Sequence, residues 1–256
     1  MQLLLKKVLF SAGFNLTRVS NIANKPVELN KEENKFIDYV RANNLSMCTT
    51  LNLQLTAIAC KYIAKNKIPG DFIECGVYKG GNALIAAKIF DMYKINKKVY
   101  LFDTFTGMTK PTKYDLRTSD KKPMLFKYLS LQQKNHTDWA YTSIEEVKEN
   151  FKKVNLLKDN VIFVKGEVEK TLNQHINIPK AISFLRLDTD WYKSTKKELD
   201  ILYSKLVFGG ILVIDDYGYF DGARKAVDEY FKKHPPAPFL SLIDNGARIG
   251  VKLTKK

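Results

Sequence analysis

The spacing of apolar residues along the chain changes near residue 49. Residues 1–45 are polar and weakly patterned. From Thr49 to Lys65 the apolar residues recur with a helical period, which predicts a helix that ends before a Pro-Gly pair. We therefore expect a helical N-terminal extension over 1–48 and one larger domain over 49–256.

Short apolar runs then alternate with segments of helical period through the rest of the chain. The runs predict strands at 71–76, 98–103, 160–165, 181–188 and 210–215. The segments between and after them predict helices at 81–93, 143–153, 168–173, 191–206 and 222–233. Two last runs flank Asp244, Asn245 and Gly246, which is a hairpin signal. The pattern is typical of an α/β fold with a doubly wound, mainly parallel seven-stranded sheet and a C-terminal antiparallel hairpin.

One long segment, 109–142, interrupts this alternation. It has little periodicity and is rich in Lys, Thr, Asp and Gln. Loops of this length inside compact domains are usually lids, binding loops or disordered segments. We favour a lid, because Tyr128, His136, Trp139 and Tyr141 supply aromatic contact groups. A disordered, solvated excursion is the alternative.

The charge of the chain is strongly positive. Its 256 residues include 42 Lys and Arg against 27 Asp and Glu, which gives a formal net charge of +15. Such a charge attracts nucleic acids, membrane surfaces or phosphorylated substrates. The lysines are dispersed along the chain, so a generally basic surface explains the charge equally well. We expect no nucleic-acid partner, because the chain has no Arg-rich stripe and no recognition helix.

Three observations bear on the cellular setting. No apolar stretch approaches the roughly 20 residues of a membrane-spanning helix, so we expect no transmembrane segment. The apolar N-terminal run contains lysines and no small-residue cleavage site, unlike a signal peptide. The three cysteines lack paired spacing, which argues against a disulfide framework. Together these features predict a cytoplasmic protein.

Carboxylates stand at the ends of the predicted parallel strands. Each strand ends in an acid or leads directly into one: Glu74, Asp103, Glu167, Asp188 with Asp190, and Asp215 with Asp216. Ligands of open α/β sheets bind outside the carboxyl ends of the strands. In a basic protein this clustering predicts a functional site at that edge.

The first strand-to-helix turn indicates a nucleoside-bearing cofactor. Between Gly76 and Gly81 the spacing is Gly-x-x-x-Gly-Gly, which lets a ligand approach the backbone and the helix N-terminus. The spacing matches neither the dinucleotide fingerprint nor a P-loop. Asp103 ends the next strand, where its carboxylate would accept hydrogen bonds from ribose hydroxyls.

The second acidic group suggests a metal site. Neighbouring parallel strands would bring Asp188 close to Asp215 and Asp216, and such carboxylates repel unless a cation joins them. Oxygen ligands suit Mg²⁺, Mn²⁺ or Ca²⁺. The alternative is that these acids cap the following helices. Arg186, two residues before Asp188 and on the same face, would need an acidic partner such as Glu74 or Asp215.

Five motifs that occur in order carry a resemblance to a known family. They are Asp71-Phe-Ile-Glu-Cys-Gly-Val-Tyr-Lys-Gly-Gly, Leu101-Phe-Asp-Thr-Phe-Thr-Gly-Met, Leu185-Arg-Leu-Asp-Thr-Asp-Trp-Tyr-Lys-Ser-Thr, Gly209-Gly-Ile-Leu-Val-Ile-Asp-Asp-Tyr-Gly and Gly222-Ala-Arg-Lys-Ala-Val-Asp-Glu-Tyr-Phe. From about Thr49 to Phe231 the chain resembles the macrocin O-methyltransferase (TylF-type) family of S-adenosylmethionine-dependent enzymes. It departs from the family's usual Asp-Gly-Asp-Leu-Tyr-Glu-Ser at Thr189, Trp191 and Lys193, which leaves the acceptor open.

The resemblance implies a class I methyltransferase fold, with Mg²⁺ or another divalent cation at the site of a sugar-type hydroxyl acceptor. By this resemblance the cofactor S-adenosylmethionine would contact Glu74, Gly76, Val77, Tyr78, Gly81, Asp103, Thr104 and Glu167. The metal would bind Asp188, Asp215 and Asp216, and Asp188 would also act as the base.

Several readings of the acceptor and partners stay open. The acceptor is expected to be a sugar or a glycosylated metabolite, and the positive charge suits an anionic one such as a nucleotide-linked or surface-polysaccharide sugar. A catechol or phenol would instead need an aromatic pocket, for which Phe105, Trp139, Trp191 and Tyr192 are candidates. A non-catalytic binding protein of the same fold is a third reading. The amphipathic start at 3–14 suggests packing on the core or in a homo-oligomer.

Overall fold

The computed structural model of the protein describes residue 11 and residues 25–174 and 177–254. The amphipathic start expected at 3–14 lies outside this range apart from Ser11, so a homo-oligomer stays a prediction of the sequence. Within the described ranges, none of the helices combines the length and apolar character that crossing a bilayer requires.

A seven-stranded sheet forms the centre of the described chain. Its strands are β1 (Asp71–Cys75), β2 (Val99–Asp103), β3 (Val161–Lys165), β4 (Ile182–Leu187), β5 (Leu206–Ile214), β6 (Ser241–Leu242) and β7 (Arg248–Val251). The spatial order is β3-β2-β1-β4-β5-β7-β6. The first five strands pair in parallel, and β7 runs antiparallel to both β5 and β6. The predicted α/β sheet with its C-terminal hairpin is confirmed.

Helices cover both faces of the sheet. They are α1 (Lys31–Ala42), α2 (Thr50–Lys65), α3 (Gly81–Met92), α4 (Met124–Leu131), α5 (Ile144–Lys153), α6 (Val168–Thr171), α7 (Tyr192–Leu202) and α8 (Asp221–Lys233). A short 3₁₀ turn (Tyr203–Lys205) follows α7. Capping residues start α1 and α5: the Asn30 side chain accepts from the Glu33 amide, and Ser143 from the Glu146 amide.

Alternate residues of the central strands enter two different hydrophobic clusters. Phe72 and Phe184 belong to the cluster that contains buried residues of α1, α2, α3 and α5. Their chain neighbours Ile73 and Leu185 belong to the other, which contains residues of α6, α7 and α8. This follows from the period of two in a strand, and burial on both faces explains why these strands are continuous apolar runs.

The N-terminal extension packs on the domain. Leu29, Ile37, Val40 and Leu45 are all buried in the first cluster. The Leu45 carbonyl accepts a hydrogen bond of 3.0 Å from the Gly81 amide at the start of α3. The described part of the extension therefore packs directly on the domain, and no gap in that packing marks the boundary predicted at residue 48.

The fifth strand differs from its prediction, because it begins at Leu206 and not at 210. Its register with β4 passes from Ile182–Leu206 to Phe184–Ile211, so that three extra residues of β5 form a bulge. Gly209, with φ at +77°, lies in this bulge. The glycine pair that the sequence pattern treated as the start of the strand therefore lies inside it, and α7 correspondingly ends at Leu202.

Segment 109–142 is folded onto the helices that follow β4 and β5. The Trp191 indole donates to the Thr109 carbonyl at 2.8 Å. The fully buried Asp115 carboxylate accepts from the Tyr192 amide at 2.8 Å and from the Thr112 amide at 2.5 Å. The action of this segment as a lid stays a prediction, but its base is fixed to the start of α7.

Glu198, on α7, is a fully buried carboxylate. Its Oε1 accepts a 2.8 Å bond from the Thr189 hydroxyl, while Oε2 has no partner in the described part of the chain. Burial raises the pKa of Glu198 to about 8, so the folded protein holds this group protonated at neutral pH.

Replacement of Asp115 by alanine tests the anchoring of segment 109–142. The change leaves two half-buried amides, those of Thr112 and Tyr192, without an acceptor, which should lower the free energy of unfolding by about 2 kcal/mol. Hydrogen exchange should accelerate in 109–142 and at the start of α7. The exposed Asp159→Ala is the control and should change neither quantity. Unchanged exchange in Asp115→Ala would show that other contacts hold the segment.

Replacement of Glu198 by glutamine tests the buried proton. Between pH 4.5 and 8 the unfolded chain loses this proton whereas the folded protein keeps it, so wild-type stability falls as the pH rises. Glutamine removes this dependence. From pH 5 to pH 8, the stability of Glu198→Gln relative to wild type should therefore rise by about 3 kcal/mol in denaturant unfolding. The exposed Glu145→Gln should show no such rise, and parallel curves for wild type and Glu198→Gln would refute the assignment.

Candidate active site

A cleft of about 300 Å³ opens at the carboxyl edge of the parallel strands. All the site residues that the sequence predicts line this cleft. They are Glu74, Gly76, Val77, Tyr78, Gly81, Asp103, Thr104, Glu167, Asp188, Asp215 and Asp216. The fold therefore brings the expected cofactor residues and the expected metal ligands into one continuous site.

The turn after β1 requires glycine at its first position. Gly76 has φ at +86°, and a Cβ placed there would lie 1.8 Å from the Asp188 carbonyl oxygen. Gly80, with φ at +90°, precedes α3 and leaves the first turn of that helix without a side-chain cap. The amides of Gly76 and Gly81 donate to the carbonyls of Phe102 and Leu45. These glycines therefore give a ligand room to approach the backbone, and not free amide donors.

Asp103 holds this turn in place. Its Oδ2 accepts from the amides of Val77 at 2.6 Å and Tyr78 at 3.3 Å, and its Oδ1 accepts from the Phe105 amide at 2.7 Å. Burial raises its pKa, which these three hydrogen bonds oppose. The Thr104 hydroxyl is a fourth, longer contact at 3.4 Å from Oδ1, and it lies closer to the Gly107 carbonyl at 2.7 Å. A carboxylate accepts about four hydrogen bonds, so a ribose hydroxyl would take the place of this weak contact. The shaping of the turn by Asp103 was not expected from the sequence.

Arg186 lies fully buried at the centre of the acidic group. Its Nη2 is 2.8 Å from Asp188 Oδ2 and 2.6 Å from Asp215 Oδ1, and its Nε is 3.2 Å from Glu74 Oε1. The expected pairing of Arg186 with Glu74 or Asp215 is confirmed for both. Burial still raises the pKa of Glu74 to about 8, because the guanidinium offsets desolvation only in part.

A second set of acids lies beside the first. The Asp190 amide donates to Asp216 Oδ2 at 3.0 Å, and Asp190 has φ at +66°. Burial raises the pKa of Asp190 to about 7. Burial, together with the nearby carboxylates, also raises the pKa values of Asp188 and Asp216. The site therefore holds more carboxylates than Arg186 compensates.

Helix capping does not account for these acids. The N-cap of α7 is Trp191 and that of α8 is Phe220, and neither helix has a side-chain cap. The first amide of α7, that of Tyr192, is bound instead by Asp115 from segment 109–142. The alternative interpretation of Asp188, Asp190 and Asp216 as caps is wrong.

The acids fit a divalent cation chemically, with one change in geometry from the expected set. Among the described residues, the metal-binding atoms that lie within 4.8 Å of one another belong to Cys48, Asp188 and Asp215. Asp216 lies outside that group and points to Asp190. Burial raises the pKa of the Cys48 thiol to about 12, which makes it a poor ligand. Two of the three predicted ligands, Asp188 and Asp215, are thus close together, and among the possible ligands hard carboxylate oxygens outnumber the thiol.

The aromatic pocket considered for a phenolic acceptor does not form. Of its four candidates only Trp139 lines the cleft. Trp191 is 1% exposed and packs edge-on against Trp139, and Phe105 is buried in the core. Tyr192 packs against Tyr114 with its ring tilted by 53°, and its hydroxyl donates to Glu229.

Several cleft residues were given no role by the sequence analysis. Ser46, Met47 and Cys48 line the cleft from the end of the N-terminal extension, and Tyr219 lines it from the loop after β5. Asp190, which was named only among the strand-end acids, lines it from the loop after β4. Asp190 carried a signal, since it stands two residues from Asp188 in a strand-end motif. The three residues before α2 carried none, because a loop reaches the cleft only through the tertiary packing of α1 and α2.

Comparisons with known proteins agree with this architecture. A sequence profile of the macrocin-O-methyltransferase (TylF) family matches residues 5–249. The demethyldecarbamoylnovobiocin O-methyltransferase of Streptomyces niveus is 33% identical over 184 residues, which cover 70% of this chain and 64% of the relative. The 8-demethyl-8-(2,3-dimethoxy-alpha-L-rhamnosyl)-tetracenomycin-C 4'-O-methyltransferase of Streptomyces olivaceus is 30% identical over 179 residues, 69% of this chain and 64% of the relative. The chain thus spans less than two thirds of these two relatives.

The solved structure of the O-methyltransferase NovP has the same fold. It superposes with a TM-score of 0.70 at 27% identity and covers 82% of each chain. The sheet order and the position of the cleft agree with the family profile, which matches nearly the whole length of the chain. The chain belongs to the macrocin-O-methyltransferase (TylF) family and has the class I methyltransferase fold.

Proposed function

We propose that this protein transfers the methyl group of S-adenosylmethionine to a hydroxyl of a sugar or a glycosylated metabolite, assisted by a divalent cation. The observation that carries the proposal is the single cleft in which the glycine turn after β1 meets the acids after β4 and β5. Both relatives are named as O-methyltransferases, which supports the reaction type. The rhamnosyl group in one of these names supports a sugar-type acceptor.

The cofactor end of the cleft suits a cationic ligand. Bound S-adenosylmethionine supplies a methyl group on a positively charged sulfonium. Glu74 lines the cleft beside the glycine turn at Gly76 to Tyr78. We assign these residues to the methionine part, and Asp103 with Thr104 and Glu167 to the nucleoside part. Because burial raises the pKa of Glu74 to about 8, a bound cation would favour its ionised form, and that charge in a dry cleft stabilises a cation more than it does in water.

The acceptor end of the cleft suits a divalent cation. Asp188, Asp215 and Asp216 would hold it, and the cation would lower the pKa of the acceptor hydroxyl. Arg186 fixes the carboxylates of Asp188 and Asp215 in place. The packing around Arg186 thus prepares the positions of two ligands before any cation arrives.

The proton of the acceptor hydroxyl needs a base within the cleft. The sequence favours Asp188, but its Oδ2 already accepts a 2.8 Å bond from Arg186. Asp190 also lines the cleft, and it forms no ion pair with a Lys or Arg in the described ranges. We therefore assign proton removal to Asp190, with Asp188 as a metal ligand that orients the hydroxyl.

The acceptor is further constrained by what surrounds the acids. Only Trp139 of the four aromatic candidates lines the cleft, so the pocket that these four residues would form around a flat phenol is absent. An acceptor with an anionic group, such as a nucleotide-linked sugar, suits the +15 formal charge of the chain provided that this group lies outside the acidic cleft.

The first prediction concerns the cofactor. Calorimetric titration of wild type with S-adenosylmethionine should give one saturable site, with or without Mg²⁺. Asp103→Asn removes the charge that orders the turn and should weaken binding at least tenfold, whereas the exposed Asp159→Asn should bind as wild type does. No binding by folded wild-type protein would refute the methyltransferase proposal.

The second prediction concerns the metal. Mg²⁺ or Mn²⁺ should raise the melting temperature of wild type. Asp216→Asn should need an at least tenfold higher cation concentration for the same rise. Asparagine at this position still accepts the Asp190 amide, so the fold should be kept. Asp159→Asn is again the matched control. Equal metal responses in all three proteins would exclude Asp216 as a ligand.

The third prediction separates the two candidate bases. Asp190→Asn should lower kcat of methyl transfer to a sugar acceptor by about 100-fold, with unchanged affinities for S-adenosylmethionine and Mg²⁺. Asp188→Asn should lower both kcat and the affinity for Mg²⁺. If Asp190→Asn keeps wild-type kcat, the base is Asp188 or solvent.

A further inference from the structure

A second cavity adjoins the cofactor cleft, and its charge is opposite. It has a volume of about 500 Å³ and lies between the loop after β2, the segment after α4 and the loop after β3. Four lysines line it: Lys110, Lys134, Lys165 and Lys170. The cleft itself is lined by eight carboxylates, whereas this cavity contains one, that of Glu167.

Three of the four lysines lack an acidic partner. Lys170 pairs with Glu167 at 2.9 Å, which accounts for the single carboxylate of the cavity. Lys110, Lys134 and Lys165 form no ion pair with any described residue. Like charges that converge on a concave surface focus a positive potential, and an anion that enters relieves their mutual repulsion.

The remaining lining is polar and donates hydrogen bonds. It consists chiefly of hydroxyl, amide and imidazole side chains, those of Thr106, Gln132, Gln133, Asn135, His136 and Thr137. Gln133 and His136 are bound to the Asp138 carboxylate at 2.6 and 3.0 Å, so the hydroxyls and the amides of Gln132 and Asn135 are the donors for a ligand. The one large ring that faces the cavity apart from His136 is Tyr128. Such a lining is unsuited to a lipid chain but suited to phosphate oxygens, which accept several charge-assisted hydrogen bonds.

The position of the cavity relates it to the proposed reaction. Met108 and Thr109 form a wall that the cavity shares with the cleft, as do Gly166 and Glu167. The Met108 amide is bound to the Trp139 carbonyl at 3.0 Å, so segment 109–142 completes both spaces. A ligand in the cavity would lie next to the cofactor without entering the acidic cleft, which repels anions.

From this juxtaposition we propose that the lysine-lined cavity is a binding site for a diphosphate group. Two kinds of ligand carry such a group: a nucleotide-linked acceptor, through its diphosphate, and a free metabolite that bears phosphate. The site itself does not depend on the proposed methyl transfer. Only the assignment of the diphosphate to the acceptor rests on the proposed methyl transfer.

The test uses the full-length protein and inorganic pyrophosphate, titrated by calorimetry at fixed ionic strength without divalent cations. Wild type should bind one pyrophosphate. Lys134→Gln with Lys165→Gln should weaken binding at least tenfold. The control, Lys35→Gln with Lys65→Gln, removes the same charge from exposed positions of α1 and α2 and should stay within twofold of wild type.

Three results would overturn the site. These are the absence of saturable binding to wild type, equal weakening in both double variants, and displacement of pyrophosphate by S-adenosylmethionine. Equal weakening would indicate that pyrophosphate binds to the generally positive surface. Displacement by S-adenosylmethionine would place the anion in the cofactor cleft. Unchanged melting temperature and S-adenosylmethionine affinity in the cavity variant establish that it is folded.

A kinetic arm distinguishes the two sources. If the diphosphate belongs to the acceptor, the cavity variant should raise KM at least tenfold for a nucleotide-linked sugar and leave it unchanged for the same sugar without phosphate. If a free metabolite binds, the variant should leave both KM values unchanged, and pyrophosphate should alter the wild-type rate without competing with the acceptor. Failure of every sugar to be methylated would refute the proposed function but leave the calorimetric result standing.

Discussion

The acidic site depends on one buried cation, the guanidinium of Arg186. It contacts carboxylates from the ends of three adjacent strands, Glu74 of β1, Asp188 after β4 and Asp215 after β5. A buried carboxylate without compensation costs several kcal/mol, so these acids could not be placed together in a folded chain without such a partner. Because Glu74 and Arg186 are register partners in the sheet, correct pairing of β1 with β4 is also what assembles the site.

Separation of charge then organises the space around this centre. Five of the eight carboxylates of the cleft lie at the strand ends of β1, β4 and β5, whereas the unpaired lysines surround the cavity beside β2 and β3. A cationic cofactor and an anionic group on its partner would be drawn to different ends of the same edge. A basic protein can thus hold an acidic active site, since net charge describes the whole surface and says little about one cleft.

The sequence predicted what depends on local pattern. The strand ends, the glycine turn and the pairing of Arg186 with acids all follow from residues close together in the chain or from the parallel order of the strands. It could not predict that Ser46 to Cys48 reach the cleft, since this depends on how α1 and α2 pack. Nor could it predict that Trp191 is buried while Trp139 faces the cleft, because both stand in aromatic, polar surroundings and only long-range contacts separate them.

The close contact at Gly76 limits how the protein can move. The space that a side chain would need there is filled by the Asp188 carbonyl, so the exits of β1 and β4 touch directly through their backbones. This contact sets the spacing between the ends of β1 and β4, and with it the spacing of Glu74 and Asp188. The segment that carries Trp139 lines the cleft without contributing an acid, so variation there can change the rate of ligand exchange without altering that spacing.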